Sequence, residues 1–378
     1  MQRNRHFAGQ FDRRSTVEKI YYITDAFRII PCLNPGPPLN ADVRRNLRNP
    51  RLFLFSIEAV VFSHYIHLKE RRMSVHYEKY PFTPELGWSI SRNEVFEKCK
   101  RQYFYAYYSK YVQEVPHFKL SMLRELTSVP LEIGNVVHDV LEAFLRRLQK
   151  SDSNIDEQRF FSYARQKVDE YFSKKTFLET YYQHSGIIDR EKAFLKVESC
   201  LHNFIRSPCY SWIYMKAIRS REDWMIEPEG FGETRLDGMK AYCKMDFLMP
   251  VGDEVHILDW KTGAKDPAKH GAQLKGYSAA ASQNFGIQWE RIFPKIVYLS
   301  PSYDEYELRL DRNGYEALIA TVRDQTQKMR SFCTNVEENT PLPMDEFPIS
   351  PSHSVCRQCR YQELCFPQGL ELKQTFDE

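Results

Sequence analysis

Two apolar runs, residues 241–249 and 254–260, flank the tetrapeptide Pro250-Val251-Gly252-Asp253, and this arrangement constrains the fold more than any other stretch of the chain. Strand-forming residues on either side of a turn cluster predict a β-hairpin. Asp246 falls in the first strand, Asp259 at the end of the second, and Lys261 two residues further on. Side chains alternate faces along a strand, so Asp259 and Lys261 share a face, and the hairpin brings Asp246 beside them. Two neighbouring carboxylates repel each other. A hard divalent cation relieves that repulsion, and oxygen ligands suit Mg²⁺ or Mn²⁺. A lysine beside such an ion can orient or deprotonate a water, or stabilise charge on a phosphoryl group.

A bare Asp-x-Lys carries little by itself: it is expected about once by chance in a chain of this length. Its bland reading is a surface ion pair worth about 0–1 kcal/mol. The surrounding series is what gives it weight. Residues 131–148 read as a helix with Val137, Leu141, Phe144, Leu145 and Leu148 on one face. His138 and Glu142 lie four apart on that helix. Residues 268–282 predict another helix, on which Gln273 and Tyr277 are also four apart. That pair could touch nucleic acid or the site's carboxylates, or be an ordinary half-buried helix face. Further strands are expected at 292–300 and 305–310, and a helix at 311–332. A helix is expected over 91–112, and mostly helical chain over 156–217. The last 45 residues read as Pro- and Cys-containing loop.

The chain has 378 residues, 42% hydrophobic and 27% charged, a composition that excludes a wholly disordered or fibrous protein. Its most apolar stretch, 52–62, is too short to cross a bilayer. No membrane association is expected, and with no apolar leader at the N-terminus a cytoplasmic location is. Residues 1–72 carry 13 Lys and Arg against 6 Asp and Glu, whereas the remaining 306 carry 40 against 44. We therefore read 1–72 as a poorly defined basic extension and 73–378 as the folded domain. The overall charge of +3 is too mild to argue for nucleic acid on bulk electrostatics. No G-x-x-x-x-G-K-[ST] occurs, so no ATP motor of that kind is encoded.

Nine cysteines, without a leader, read as reduced thiols with some available for metal. Cys356, Cys359 and Cys365 form a tight triple, which is a metal-ligand pattern, and Cys99 is the best fourth ligand. Zinc and an iron–sulfur cluster both suit that spacing. Cys32, Cys200, Cys209, Cys243 and Cys333 sit in apolar or isolated settings and read as small hydrophobes.

Taken in order, G-x-x-x-H-x-x-x-E from Gly134, M-D-F-L from Met245, I-L-D-W-K-T-G from Ile257 and Q-L-K-G-Y from Gln273 resemble the RecB-type branch of the PD-(D/E)XK nuclease superfamily. The resemblance runs over about residues 88–366. It implies a restriction-endonuclease-like α/β core: a central mixed β-sheet flanked by helices, with a helical insertion at about 150–230. It implies that His138, Asp246, Asp259 and the backbone carbonyl of Trp260 hold Mg²⁺ or Mn²⁺, that Lys261 is catalytic, and that Gln273 and Tyr277 form this branch's Q-x-x-x-Y motif. Glu142 matches an often acidic position of less certain role. The one-plus-three cysteines resemble the iron–sulfur subgroup, which includes the AddB nuclease domain and CRISPR-associated adaptation nucleases. By that resemblance Cys99, Cys356, Cys359 and Cys365 bind a [4Fe-4S] cluster, tethering the two ends in a clasp over about 350–366.

The activity so implied is metal-dependent hydrolysis of DNA, on single strands or ends, in repair, recombination or defence, with a helicase or a repair or defence protein as an admissible partner. Lys98, Lys100, Arg101, Lys244, Lys265, Lys269 and Lys275 could meet phosphates or form a solvated face. The aromatic run 103–111 reads first as packing, around the cluster, and second as a platform for bases. Two rival readings remain: a non-catalytic nucleic-acid-binding module of the same fold stapled by zinc or a cluster, and a zinc-stapled interaction protein.

Overall fold

The computed structural model describes residues 80–183, 187–227 and 232–370. The basic extension assigned to 1–72, and Cys32 within it, lie outside the described residues. Helices α1 (Ile90–Lys98), α2 (Lys100–Tyr107) and α3 (His117–Glu125) lead to the long α4 (Val129–Lys150). Between 150 and 230 the chain runs through α5 (Glu157–Lys174), α6 (Leu178–Tyr181), α7 (Arg190–Ile205) and α8 (Pro208–Met215). The strands follow: β1 (Met225–Ile226), β2 (Glu233–Leu236), β3 (Met239–Tyr242), β4 (Phe247–Val251) and β5 (Glu254–Lys261). Then come α9 (Pro267–Phe285), β6 (Ile292–Tyr298), β7 (Asp304–Glu307), α10 (Arg312–Arg330), β8 (Cys333–Asn335), β9 (Thr340–Pro341), α11 (His353–Arg357) and α12 (Gln362–Cys365).

The central sheet is five-stranded and mixed, ordered β1-β4-β5-β6-β7. β4 and β5 form the expected hairpin, pairing Phe247 with Leu258 and Val251 with Glu254. The turn has two residues, and its first, Gly252, takes φ +68°, which glycine adopts without steric cost. β6 lies parallel to β5, joined through α9, a connection that needs a helix-length crossover. Alternation along β5 divides its side chains between two cores. Val255 and Ile257 join one core with Tyr103, Leu274 and Tyr277. Leu258 and Trp260 join the other with Val137, Leu141 and Phe204. With helices on both faces, the fold is α/β around a central mixed sheet.

Three expectations from the sequence need correction. The strand expected over 241–249 is broken: β3 ends at Tyr242 and β4 begins at Phe247, so Asp246 sits just before its strand, not within it. The helix expected over 91–112 is interrupted at Cys99, which takes an extended conformation (φ −163°, ψ 115°) and caps α2 with its sulfur. The C-terminal stretch is not all loop, for it holds the β8–β9 pair and two short helices. Each departure serves a long-range contact that local pattern cannot encode. Among the described residues, no helix is long and apolar enough to cross a membrane.

Candidate active site

The site forms where β5 ends. Continuing the hairpin register past Phe247–Leu258 puts Asp246 across from Asp259. The backbone N–H of Trp260 donates to Asp246 Oδ2 at 2.9 Å, which fixes that carboxylate although it precedes the strand. The Trp260 indole faces the opposite core and packs edge-on against Phe204 at 5.3 Å. Strand alternation thus buries the tryptophan as an anchor while Asp259 and Lys261 face α9.

α4 supplies the imidazole. Its buried stripe (Val136, Val137, Val140, Leu141 and Phe144) docks the helix against the sheet. Gly134, one turn before His138, lets the helix approach: a Cβ there would lie 3.3 Å from Thr262 Oγ1. His138 Nε2 donates to the Trp260 carbonyl at 3.0 Å. Its Nδ1 faces Asp246 Oδ2 at 3.3 Å and Glu227 Oε1 at 3.8 Å. Burial disfavours the charged ring, but the Asp246 carboxylate, hydrogen bonds to Asp246 and Glu227, and the charge of Asp259 outweigh it and lift His138 to about 10. Burial likewise pushes Asp246 up, but His138, Lys261 and the Trp260 N–H prevail and hold it below the ordinary carboxylate value.

Asp259 is buried at 2% exposure. Burial and the neighbouring Asp246 charge raise it to about 6, against the opposing pull of Lys261 and Tyr277. Its Oδ1 accepts from the Tyr277 hydroxyl at 2.6 Å, and Gln273 Nε2 donates to that hydroxyl at 3.3 Å. Gln273 and Tyr277 therefore meet the site through one chain of contacts along α9, and Tyr277 positions Asp259. The Lys261 ammonium is ion-paired with Asp259 Oδ2. That oxygen takes no hydrogen bond of acceptable geometry.

Glu142 stands apart from this cluster. Its carboxylate pairs with Arg146 at 2.7 Å, and Arg146 in turn donates to the Ile226 carbonyl. Glu227 is the residue that sequence reasoning missed. His138, Glu227 and Asp246 are the one group of three or more ligating side chains, among the described residues, with donor atoms within 4.8 Å of one another. Glu227 reaches the site because its N–H donates to the Asp246 carbonyl at 2.8 Å, extending the two-residue β1 ladder. It does so at φ +40°, a conformation that costs a non-glycine residue about 1–3 kcal/mol and clusters at functional sites. No local pattern marks it, because a two-residue strand has no periodicity to read.

The four cysteines singled out by spacing, Cys99, Cys356, Cys359 and Cys365, line one small cavity with Tyr105 and Tyr361. Cys99 Sγ accepts backbone N–H groups from Gln102 and Ser350, each at 3.4 Å. Cys359 Sγ accepts from Tyr361 N–H at 3.4 Å. Burial and the other sulfurs push Cys359 to about 11 and Cys365 to about 12. Four thiolates there need a positive group among them. No three of the sulfurs lie within 4.8 Å of one another. A zinc tetrahedron with Zn–S bonds of about 2.3 Å would hold its sulfurs about 3.8 Å apart. The aromatic run is mostly packing, since Tyr103, Phe104, Tyr105 and Tyr108 are buried. Cys200, Cys209 and Cys243 are buried too, whereas Cys333 is only half-buried, on a short edge strand.

A mixed sheet carrying Asp246, Asp259 and Lys261 at one strand end, with His138 brought in from a helix, defines a class. The chain belongs to the PD-(D/E)XK nuclease superfamily, whose model matches residues 87–366. No curated protein matches the sequence. Among solved structures, a provisionally named exonuclease from Eubacterium rectale is similar at 12% identity and a TM-score of 0.36, over 64% of this chain and 79% of that one. The protein SSO0001 is similar at 17% identity and a TM-score of 0.24, over 50% of this chain and 78% of that one.

Proposed function

We propose that this protein is a metal-dependent deoxyribonuclease of the RecB-type branch, acting on single-stranded DNA or DNA ends in repair, recombination or defence. The observation that carries the reading is the meeting of His138, Glu227 and Asp246 within 4.8 Å of one another, with the Asp259–Lys261 ion pair beside them at the end of β5. The residues fit a hard divalent cation. They offer carboxylates, one imidazole and the Trp260 carbonyl. His138, Asp246, Asp259 and the Trp260 carbonyl would hold Mg²⁺ or Mn²⁺, with Glu227 at its edge. A cation there supplies Lewis-acid activation of the phosphodiester and lowers the pKa of an attacking water.

The chain's own groups do the rest. Trp260 N–H and the Tyr277 hydroxyl orient the two aspartates, and Gln273 orients Tyr277. Lys261 carries the fixed positive charge that meets the negative charge accumulating on the phosphoryl group. DNA as substrate, with a helicase or a repair or defence protein as partner, rests on the motif resemblance. The test is cleavage of end-labelled single- and double-stranded DNA with Mg²⁺ or Mn²⁺. Asp259→Ala should abolish cleavage while DNA binding survives. A wild type that cuts neither substrate sinks the enzyme reading and favours a binding module.

We also propose a [4Fe-4S] cluster on Cys99, Cys356, Cys359 and Cys365. The gathering of four sulfurs around one small cavity and the backbone N–H groups donating to Cys99 and Cys359 support it. Protein purified without oxygen should be brown and hold iron and acid-labile sulfide in equal amounts. A colourless, zinc-loaded protein would mean a zinc staple.

A further inference from the structure

Two clefts flank the end of β5, and their chemistry differs. One, of about 630 Å³, is lined by the acids Asp139, Glu142, Glu227 and Asp246, with His138 and with Lys244 as its one lysine or arginine. The other, of about 680 Å³, is lined by the cations Arg92, Lys244, Lys261 and Lys269 against a single carboxylate, Glu94. Its aromatic walls are Trp88, Tyr107 and Tyr242. Lys261 borders this second cavity, so a strand whose phosphate rests at Lys261 has its adjoining nucleotide there.

We propose that the second cavity is a binding pocket for one unpaired nucleotide of the substrate strand, adjoining the bond to be cut; this rests on the nuclease reading of the site. Three observations carry it. The volume suits a small organic group, not a duplex. A paired base points its edge inward and must leave the stack to enter a cavity, so the nucleotide received here is unpaired. Its lining cations outnumber its one carboxylate, which favours a polyanionic strand.

The platform inside is preorganised. Arg92 is buried, with Nε donating to Tyr103 Oη at 3.1 Å and Nη1 to the Gly87 carbonyl at 3.2 Å. Its guanidinium lies 4.4 Å from the Tyr107 ring centroid, on which it fixes that ring. Tyr107 alone of the run 103–108 is substantially exposed, at 40% among its buried neighbours. A rigid, half-exposed ring beside cations is how sequence-tolerant base stacking is built. At the mouth, Lys269 pairs with Glu94 at 2.9 Å, bridging α9 and α1. Both groups are near half-exposed, so an arriving phosphate can take Lys269 from its partner.

The test uses the full-length chain, loaded with Mg²⁺ or Mn²⁺, and unstructured DNA oligonucleotides bearing one abasic site at successive positions. Removing the base next to the cut bond should slow cleavage at that bond about tenfold, and other positions should matter little. Tyr107→Ala should lower the rate on intact DNA by a similar factor and abolish the abasic effect. Lys269→Glu, on the surface, should weaken binding and reduce the salt slope by about one. If the wild type cuts DNA but no abasic position matters, the pocket assignment is overturned while the nuclease reading stands. If the wild type cuts nothing, the nuclease reading fails and takes the pocket with it. Should Tyr107→Ala not fold, the abasic series on the wild type decides alone.

Discussion

The end of β5 and the cysteine cavity each gather side chains suited to a metal, but they are built in opposite ways. At the end of β5 every charge has a partner in the protein: His138 with Asp246, Lys261 with Asp259, Lys244 with Glu227 at 2.7 Å. Asp246, Asp259 and Lys261 lie on one hairpin, so forming the site needs little chain closure. In the cysteine cavity no lysine or arginine lines the wall, Arg101 and Arg360 acting on Cys365 and Cys359 from nearby, and the proposed ligands come from residue 99 and from 356–365. The difference teaches that the first site is assembled by the fold itself, whereas the proposed cluster would couple its site to folding. The C-terminal segment has other ties: Arg101 donates to the Phe347 carbonyl at 2.9 Å, and Lys119 pairs with Glu363 at 2.7 Å. These ties hold the segment by themselves, so the proposed cluster would reinforce the clasp.

Substitution should separate the two regions. Cys359→Ser carries the largest expected effect. Bridging residues 99 and 356 closes a loop worth about 5 kcal/mol on the loop-entropy scale, so the variant should lose its iron and unfold at much lower denaturant. An unchanged unfolding midpoint in a variant that has lost its iron would erase the proposed contrast. Next is Tyr277→Phe, which leaves Asp259 Oδ1 without its donor. Losing a buried hydrogen bond to a charged group, about 1.5–3 kcal/mol, should lower kcat about ten- to a hundredfold with KM little changed and the cluster intact. A wild-type kcat would show that Asp259 needs no positioning.

Glu227→Gln should weaken Mn²⁺ binding about tenfold, read by calorimetry, since groups supporting metal ligands carry effects of that order. Unaltered affinity would leave Glu227 a partner of Lys244 only. The smallest effect concerns His270, which is buried on α9 and hydrogen-bonded to Tyr298 at 2.7 Å. Burial, with Lys261 and Lys269 nearby, holds it below the ordinary histidine value of 6.5. The unfolded chain therefore takes up this proton first, and stability should fall as pH drops below that value. His270→Gln should flatten the acid limb of the unfolding midpoint against pH; an identical limb would remove His270 from the account.

The hairpin was readable because alternation and a Gly-Asp turn leave a local signature, and Asp259 and Lys261 came with it. The α9 pair Gln273–Tyr277 was readable as a spacing, but its meaning was not: only packing shows that the tyrosine reaches Asp259. The strand expected through 241–249 concealed the break that frees Asp246 to accept from Trp260 N–H. The helix expected through Cys99 failed for a related reason. Helix periodicity continues across that residue, while the backbone turns aside so that one sulfur can cap α2 and face three others.

By itself, the sequence determined the β4–β5 hairpin, the helices that bury their apolar stripes against the sheet, and the types of side chain available for chemistry. Those follow from interactions between residues close along the chain, which periodicity records. The arrival of Glu227 beside His138, the gathering of four distant cysteines, and the contrast between an acidic and a cationic cleft were decided by tertiary structure. Each depends on which faces meet across long loops, and a contact between distant segments leaves no period in either of them.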